Sequence, residues 1–271
     1  MNILAVNDLY GLIGYPVSHP LAPAIFNAAF QAVGNELFPI PPDRLNAEIK
    51  EILGEGVRGL NVTVPHRTSV IPMMNGLAES ARLTGAVNAI EIADDGVTGH
   101  NTDMGGFEDS FASLGVPGIK GTRVLVLGAG GAARAVLVSL ARRGISEILI
   151  ANRFLEEAMD LVSLVAPRYP GVRFEILLLE KEEIEKMVPG TVLCVQATSL
   201  GLKEKDPLPM EPAILPKGCF VYDLVYGPRQ TAFVRSAQAS GYRATDSKEM
   251  LLRRAARAFR LWFRSDPPSM P

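Results

Sequence analysis

One stretch constrains the fold more than any other: RVLVLGAGGAARAVLVSLARRGISEILIANR, residues 123–153. Arg123–Leu127 is an apolar run of the kind buried on both faces of a sheet. A glycine cluster follows, then helical spacing over Ala132–Arg143, then a second apolar run, Glu147–Ala151. Strand, tight turn, helix and strand in about thirty residues make a βαβ unit. Such a unit places its strands parallel and its helix over the sheet, so the chain belongs to the α/β class.

The rest of the chain continues the alternation. Leu9–Gly14, Glu36–Ile40 and Gly59–Val64 read as strands, and Pro23–Val33 has the helical spacing of Ile25, Phe26, Ala29, Phe30 and Val33. A second helix opens at Pro42 and Asp43 and runs through Leu53. Thr84–Ile92 and Gly96–His100 flank a hairpin signal at Asp94-Asp95-Gly96. Met104–Leu114 reads as a connecting helix, Thr191–Gln196 and Phe220–Leu224 as later strands, and Thr231–Ser240 as a helix. Lys248–Phe263 is a terminal helix whose apolar face must pack on something, and the proline-rich 265–271 is expected to be disordered. The expected domains are 1–103 with 243–264, and 104–242.

The glycine turn reads Gly128-Ala129-Gly130-Gly131-Ala132-Ala133, a G-x-G-x-x-A between a strand and a helix. Gly128 permits the tight turn, Gly130 lets backbone approach a pyrophosphate, and Ala133 lets helix and strand pack closely. The helix N-terminus then favours the anion. The bland alternative is a turn kept for packing alone. The second strand ends Asn152-Arg153 where an acid would favour NAD; Arg153 suits a 2′-phosphate, hence NADP. Against this stand a solvated Arg153, and Glu156 and Glu157, which would repel the phosphate.

Composition narrows the partners. The net charge is −2 across 271 residues with no basic patch, which argues against nucleic acid. No apolar run approaches a membrane span and no signal sequence opens the chain, so a cytoplasmic protein is expected. Cys194 and Cys219, each in an apolar stretch, read as buried hydrophobes, without metal or disulfide spacing.

A further segment, NVTVPHR at 61–67, is read as a strand running into a helix start, with Arg67 facing whatever the strand end faces. An arginine there holds an anion well but is a poor acid or base. His66 reads as a partly exposed histidine at that helix start rather than a proton carrier.

Taken together, GYPVSHPLAPAIFN (14–27), GLNVTVPHR (59–67), GAVNAI (85–90), GHNTD (99–103), GAGGAARA (128–135), ANR (151–153), QATSLGL (196–202), YDLVY (222–226) and EMLLRRAA (249–256) resemble the shikimate dehydrogenase family. The resemblance runs from Gly11 to about Phe263. It implies an N-terminal α/β substrate domain, a Rossmann-type NADP domain, a catalytic cleft between them, and a terminal helix returning to the first domain. A small hydroxy or oxo acid substrate, no metal, and a monomer or homodimer are expected. By resemblance, Asp103 and Arg67 stand at the catalytic aspartate and lysine, and Asn88, Thr63 and Tyr226 at substrate contacts. Gly128 to Ala132 match the pyrophosphate turn, Asn152 and Arg153 the adenosine-phosphate clamp, and Thr198 a cofactor-lining position.

The departures lie in the substrate pocket. The family's Ser-x-Ser, which grips the substrate carboxylate, is Pro20-Leu21-Ala22; its lysine is Arg67; a glutamine of the terminal helix is Arg254; and two glycines near that helix start are Ser247 and Glu249. Losing two hydroxyl donors to a carboxylate costs roughly 1.5–3 kcal/mol each, and a guanidinium can replace them. Arg254, with Arg67, is therefore read as a substrate-binding anion grip; the alternative is a surface arginine beside Arg253, Arg257 and Arg260. Arg67 would stabilise an alkoxide while Asp103 carries the proton step.

Overall fold

The computed structural model describes residues 9–17, 35–116 and 118–267. The expected helix Pro23–Val33, His19, the Pro20-Leu21-Ala22 segment and positions 268–271 of the tail lie outside the described residues. The chain divides into two compact units, Met1–Gly106 with Leu251–Pro271, and Phe107–Met250.

The first unit is built on a mixed sheet of β1 (Leu9–Gly14), β2 (Asn35–Pro39), β3 (Val57–Val62), β4 (Gly76–Leu77), β5 (Ala89–Ala93) and β6 (Gly96–His100), in the order β2-β1-β3-β5-β6-β4. β1 runs parallel to β2 and β3, whereas β5 is antiparallel to β3 and β6. The helix Leu45–Gly54 buries Leu45, Ile49 and Ile52, one face at helical spacing, among Ile13, Leu60, Val62 and Ile90. The helix Lys248–Phe263 enters this unit from Leu251 and buries Leu251, Ala255 and Ala258 in the same way. Its end is fixed by Tyr10, whose ring centroid lies 4.8 Å from Phe263, and by Trp262, whose Nε1 donates to the Ile90 carbonyl at 3.0 Å. Gly59 makes room for that indole: a Cβ there would stand 2.5 Å from it.

The second unit carries β7 (Arg123–Leu127), β8 (Glu147–Asn152), β9 (Arg173–Leu178), β10 (Thr191–Gln196), β11 (Phe220–Asp223) and β12 (Arg243–Asp246). Their order is β12-β11-β10-β7-β8-β9, and every pairing is parallel. The order reverses between β7 and β10, and the carboxyl ends of strands at such a reversal are where doubly wound sheets bind ligands. The helix Gly131–Arg142 covers the sheet with Ala133, Val136, Leu137 and Leu140 buried. Cys194 and Cys219 are buried free thiols in the core with Leu125, Leu149 and Val221.

Three local readings are corrected. Thr84–Ile92 is not one strand. Thr84 ends the helix Glu79–Thr84, where its hydroxyl bonds back to the Ser80 carbonyl at 2.8 Å, and Gly85 caps it at φ +60°. Arg67 does not open an α-helix: turns lead from Val64 to a short 3-10 helix, Ile71–Met73, where Pro72 has no N–H to give. Arg243–Asp246, read as the start of the returning segment, is an edge strand paired with β11. Among the described residues no helix is long and apolar enough to cross a membrane.

Candidate functional site

In the first unit the fold gathers Arg67, Asn88, Asp103 and Arg254. Asp103 lies in the first turn of the helix Thr102–Ser113, and that turn is tied down on both sides. Asn101 accepts from the Met104 amide at 3.1 Å, as a cap residue does, while its own amide group donates to the Ala86 carbonyl at 3.0 Å. Asn88 takes the Thr102 N–H on its Oδ1 at 2.7 Å, and its backbone is sewn to His100 and Val62. The Arg67 carbonyl accepts from Val87 at 2.7 Å, which brings the segment after β3 alongside the one carrying Asn88.

Asp103 is 1 % exposed. Arg67 Nη1 stands 2.7 Å from its Oδ2, and Arg254 Nη1 donates to its Oδ1 at 3.0 Å. The Arg67 contact is a charge contact in which no N–H aligns on Oδ2, and Arg67 Nε is buried with no hydrogen bond among the described residues. Burial alone would raise the Asp103 carboxyl. The charges of Arg67 and Arg254, with hydrogen bonding from Arg254 and Asn88, overcome burial and hold it below the usual carboxylate range. The Arg254 side chain is 14 % exposed, so it is no surface arginine. The geometry provides a buried, ionised carboxylate bracketed by two fixed cations. That can accept a proton and can stabilise an adjacent oxyanion.

Two further residues lie in the same segment as Arg67. His66 is buried rather than partly exposed, and its Nε2 donates to the Ile40 carbonyl at 2.6 Å, which fixes its tautomer in a structural role. Thr63 follows β3 directly; its amide donates to Ile13 and its carbonyl accepts from His66.

In the second unit the glycine turn ends β7. Gly128 has φ +101°, and a Cβ there would fall 2.9 Å from the Thr198 nitrogen, so only glycine fits. Gly130 is the residue before the helix Gly131–Arg142 and caps it with no side chain. A Cβ on Gly130 would meet nothing within 4 Å, so the absent side chain is not explained by packing within the protein. Ala129 is buried, and Gly131 and Ala132 are half-buried in the first turn of the helix. Thr198 lies two residues past β10, its amide held by Gln196 Oε1. Asn152 ends β8 with its amide group donating to the Phe154 carbonyl and to Glu157 Oε2, both at 2.9 Å. Arg153 is exposed, its guanidinium 5.6 Å from the Phe154 ring centre. Tyr226 is half-buried beyond β11.

Sequence reasoning missed Asp223. It is fully buried at the end of β11, where its Oδ2 accepts from Thr231 Oγ1 at 2.6 Å and its Oδ1 from the Val225 amide at 2.9 Å. Burial pushes its carboxyl up to about 7 against those two hydrogen bonds. A single acid inside the apolar run FVYDLV was the available signal. Among the described residues no cluster of His, Cys, Asp or Glu could hold a metal.

The parallel sheet, its glycine turn at the strand-order reversal, and a separate unit holding a buried carboxylate define a two-unit α/β protein of the Rossmann type. Residues 12–90 match the family model described as shikimate dehydrogenase substrate binding domain, and residues 110–198 the one described as shikimate / quinate 5-dehydrogenase. A shikimate dehydrogenase (NADP(+)) of Rubrobacter xylanophilus is 40 % identical over 266 residues, covering 96 % of this chain and 92 % of the relative. The crystal structure of shikimate dehydrogenase from Aquifex aeolicus superposes with TM-score 0.86 at 32 % identity, covering 98 % of this chain and 96 % of that one. The enzyme from Thermus thermophilus, in complex with NADP(H) and shikimate, superposes with TM-score 0.81 at 31 % identity, covering 96 % of this chain and 95 % of that one. The chain belongs to the shikimate dehydrogenase family.

Proposed function

We propose that this protein is an NADP-dependent oxidoreductase that interconverts shikimate and 3-dehydroshikimate, or a closely related hydroxy and oxo acid, in the cytoplasm as a monomer or homodimer. The observation that carries the reading is the buried Asp103 carboxylate held ionised at 2.7 and 3.0 Å from two guanidiniums. It pairs a proton acceptor with a fixed positive charge for a developing alkoxide.

The residues at the glycine turn fit a dinucleotide. Gly128 takes a conformation that side chains rarely adopt, and Gly130 leaves open space over a helix N-terminus that no side chain caps. When bound, the nicotinamide accepts or supplies the hydride. Gly128 to Ala132 would hold the pyrophosphate and Thr198 would line the pocket. Arg153, next to Asn152 in the chain, would meet the 2′-phosphate. Glu157, already hydrogen-bonded by Asn152, is a nearby negative charge that works against that phosphate.

Asp103 takes the proton of the reacting hydroxyl, and Arg67 steadies the oxygen as it becomes negative. Asn88, Thr63 and Tyr226 would contact the substrate, and Arg254 would act on it through Asp103. A related hydroxy acid is the second reading, because the lysine and glutamine of the family stand here as Arg67 and Arg254.

Purified protein should bind NADP and reduce it with shikimate, more effectively than it reduces NAD or uses quinate, as followed by the absorbance of the reduced nicotinamide. NADP binding with no turnover of any hydroxy acid would mark a nucleotide-binding protein that is not a dehydrogenase and would refute the reading.

A further inference from the structure

We propose that Arg254 is a positioning residue: with Arg67 it keeps Asp103 a carboxylate across the working pH range, so the site is always free to accept a proton from an alcohol and rarely holds one to return to a carbonyl. This rests on the functional reading above and deepens it.

The geometry is a two-sided bracket. Each Asp103 oxygen faces a different guanidinium, at 2.7 and 3.0 Å, and the arginine side chains are 12 % and 14 % exposed. A buried carboxylate between two cations is protonated only at large cost. The groups that act on the Asp103 carboxyl are Arg67, Arg254 and Asn88, and none of them is an acid. The segment after β3 supplies Arg67, together with His66, whose Nε2–H is committed to the Ile40 carbonyl. The segment before β5 supplies Asn88, which is neutral. The helix Thr102–Ser113 supplies Thr102, whose hydroxyl donates to Asn88 Oδ1 at 3.2 Å. The terminal helix supplies Arg254 and, packed against Gly105, the guanidinium of Arg257. An arginine is a poor proton donor at any working pH.

In the oxidative direction the hydroxyl proton moves to Asp103, the carbinol hydrogen leaves as hydride to oxidised nicotinamide, and the carbonyl forms. Asp103 then gives its proton to solvent. The reverse direction starts from protonated Asp103, a form that becomes about tenfold scarcer for each pH unit above its pKa. Reductive kcat/KM should therefore fall about tenfold per unit between about pH 6 and 9, while oxidative kcat/KM stays flat.

Two measurements on the full chain test this, with Arg254→Gln and Arg254→Lys alongside the unaltered protein. The first is a carboxyl-carbon NMR titration with isotope-labelled aspartate, the Asp103 signal assigned by its loss in Asp103→Asn; it needs no turnover. Asp103 should stay ionised to below the ordinary carboxylate range. Its midpoint should rise by about one pH unit or more in Arg254→Gln and return in Arg254→Lys. The second is the pH profile in both directions, with NADP and shikimate and with NADPH and 3-dehydroshikimate. The reductive limb should move with the NMR midpoint.

Titration of Asp103 near neutral pH in the unaltered protein would overturn the proposal. So would an Arg254→Gln variant that slows both directions with no change of midpoint. A variant that raises KM for shikimate but not for its methyl ester, with the midpoint fixed, would reassign Arg254 to gripping the carboxylate. Absence of turnover with a correct titration would instead fault the functional reading and leave the bracket standing.

Discussion

The two units each bury an aspartate, and the two behave in opposite ways. Asp103 is 1 % exposed and Asp223 fully buried. Asp103 has two guanidiniums and sits below the usual range, whereas Asp223 has a hydroxyl, an N–H and the negative charge of Asp246 nearby, and is pushed up to about 7. Burial is common to both, so the sign is set by the formal charge of the partners. The same contrast runs through the sites. The second unit works through backbone, with a glycine turn at a helix N-terminus that no side chain caps; the first works through side chains that meet from four distant segments.

The comparison can be broken at several points. The largest effect is expected at Gly130→Val. A Cβ there meets nothing within 4 Å, so the melting temperature should hold while NADP affinity falls about 100-fold in a binding titration. An equal loss of stability would mean that the glycine serves packing. Arg67→Lys keeps the charge but restores a group that can lose its proton when buried. The rate of 3-dehydroshikimate reduction at neutral pH should rise about tenfold; no gain in steady-state assays would count against the assigned role of Arg67.

The smallest effect concerns Asp223 and is read by pH. Its folded pKa, raised to about 7, means the folded state holds a proton that the unfolded chain releases. The stability tied to that proton is fully present below the ordinary aspartate pKa and is lost as pH rises through about 7. Asp223→Asn should remove this loss, so variant and parent melting temperatures should diverge in the variant's favour between the ordinary aspartate pKa and about pH 7. Asp103 has the opposite sign: its contribution is present above the ordinary carboxylate pKa and disappears as pH falls through its lowered value.

The glycine turn could be read from the sequence because its requirements are local. Gly128 must adopt positive φ and Gly130 must leave room, and each demand selects a residue type at a fixed offset from a strand. Asp103 was reachable only through family likeness, since Arg67, Asn88 and Arg254 are brought to it by β3, β5 and the terminal helix. Nothing at residues 248–263 distinguishes Arg254 from Arg253 or Arg257 until the helix is docked. His66 was misjudged for the same reason: its partner, the Ile40 carbonyl, is 26 residues away. The edge strand Arg243–Asp246 is too short and polar to carry a periodic signal, and pairing with β11 alone makes it a strand.

The central claim is that Asp103 carries the proton step. It is tested most directly by Asp103→Asn, an exchange of similar shape, assayed beside the unaltered protein for NADP binding and for turnover of shikimate. NADP affinity should be unchanged, with kcat lowered about 10²–10⁴-fold. An Asp103→Asn protein that turns over shikimate at the parent rate would contradict the account.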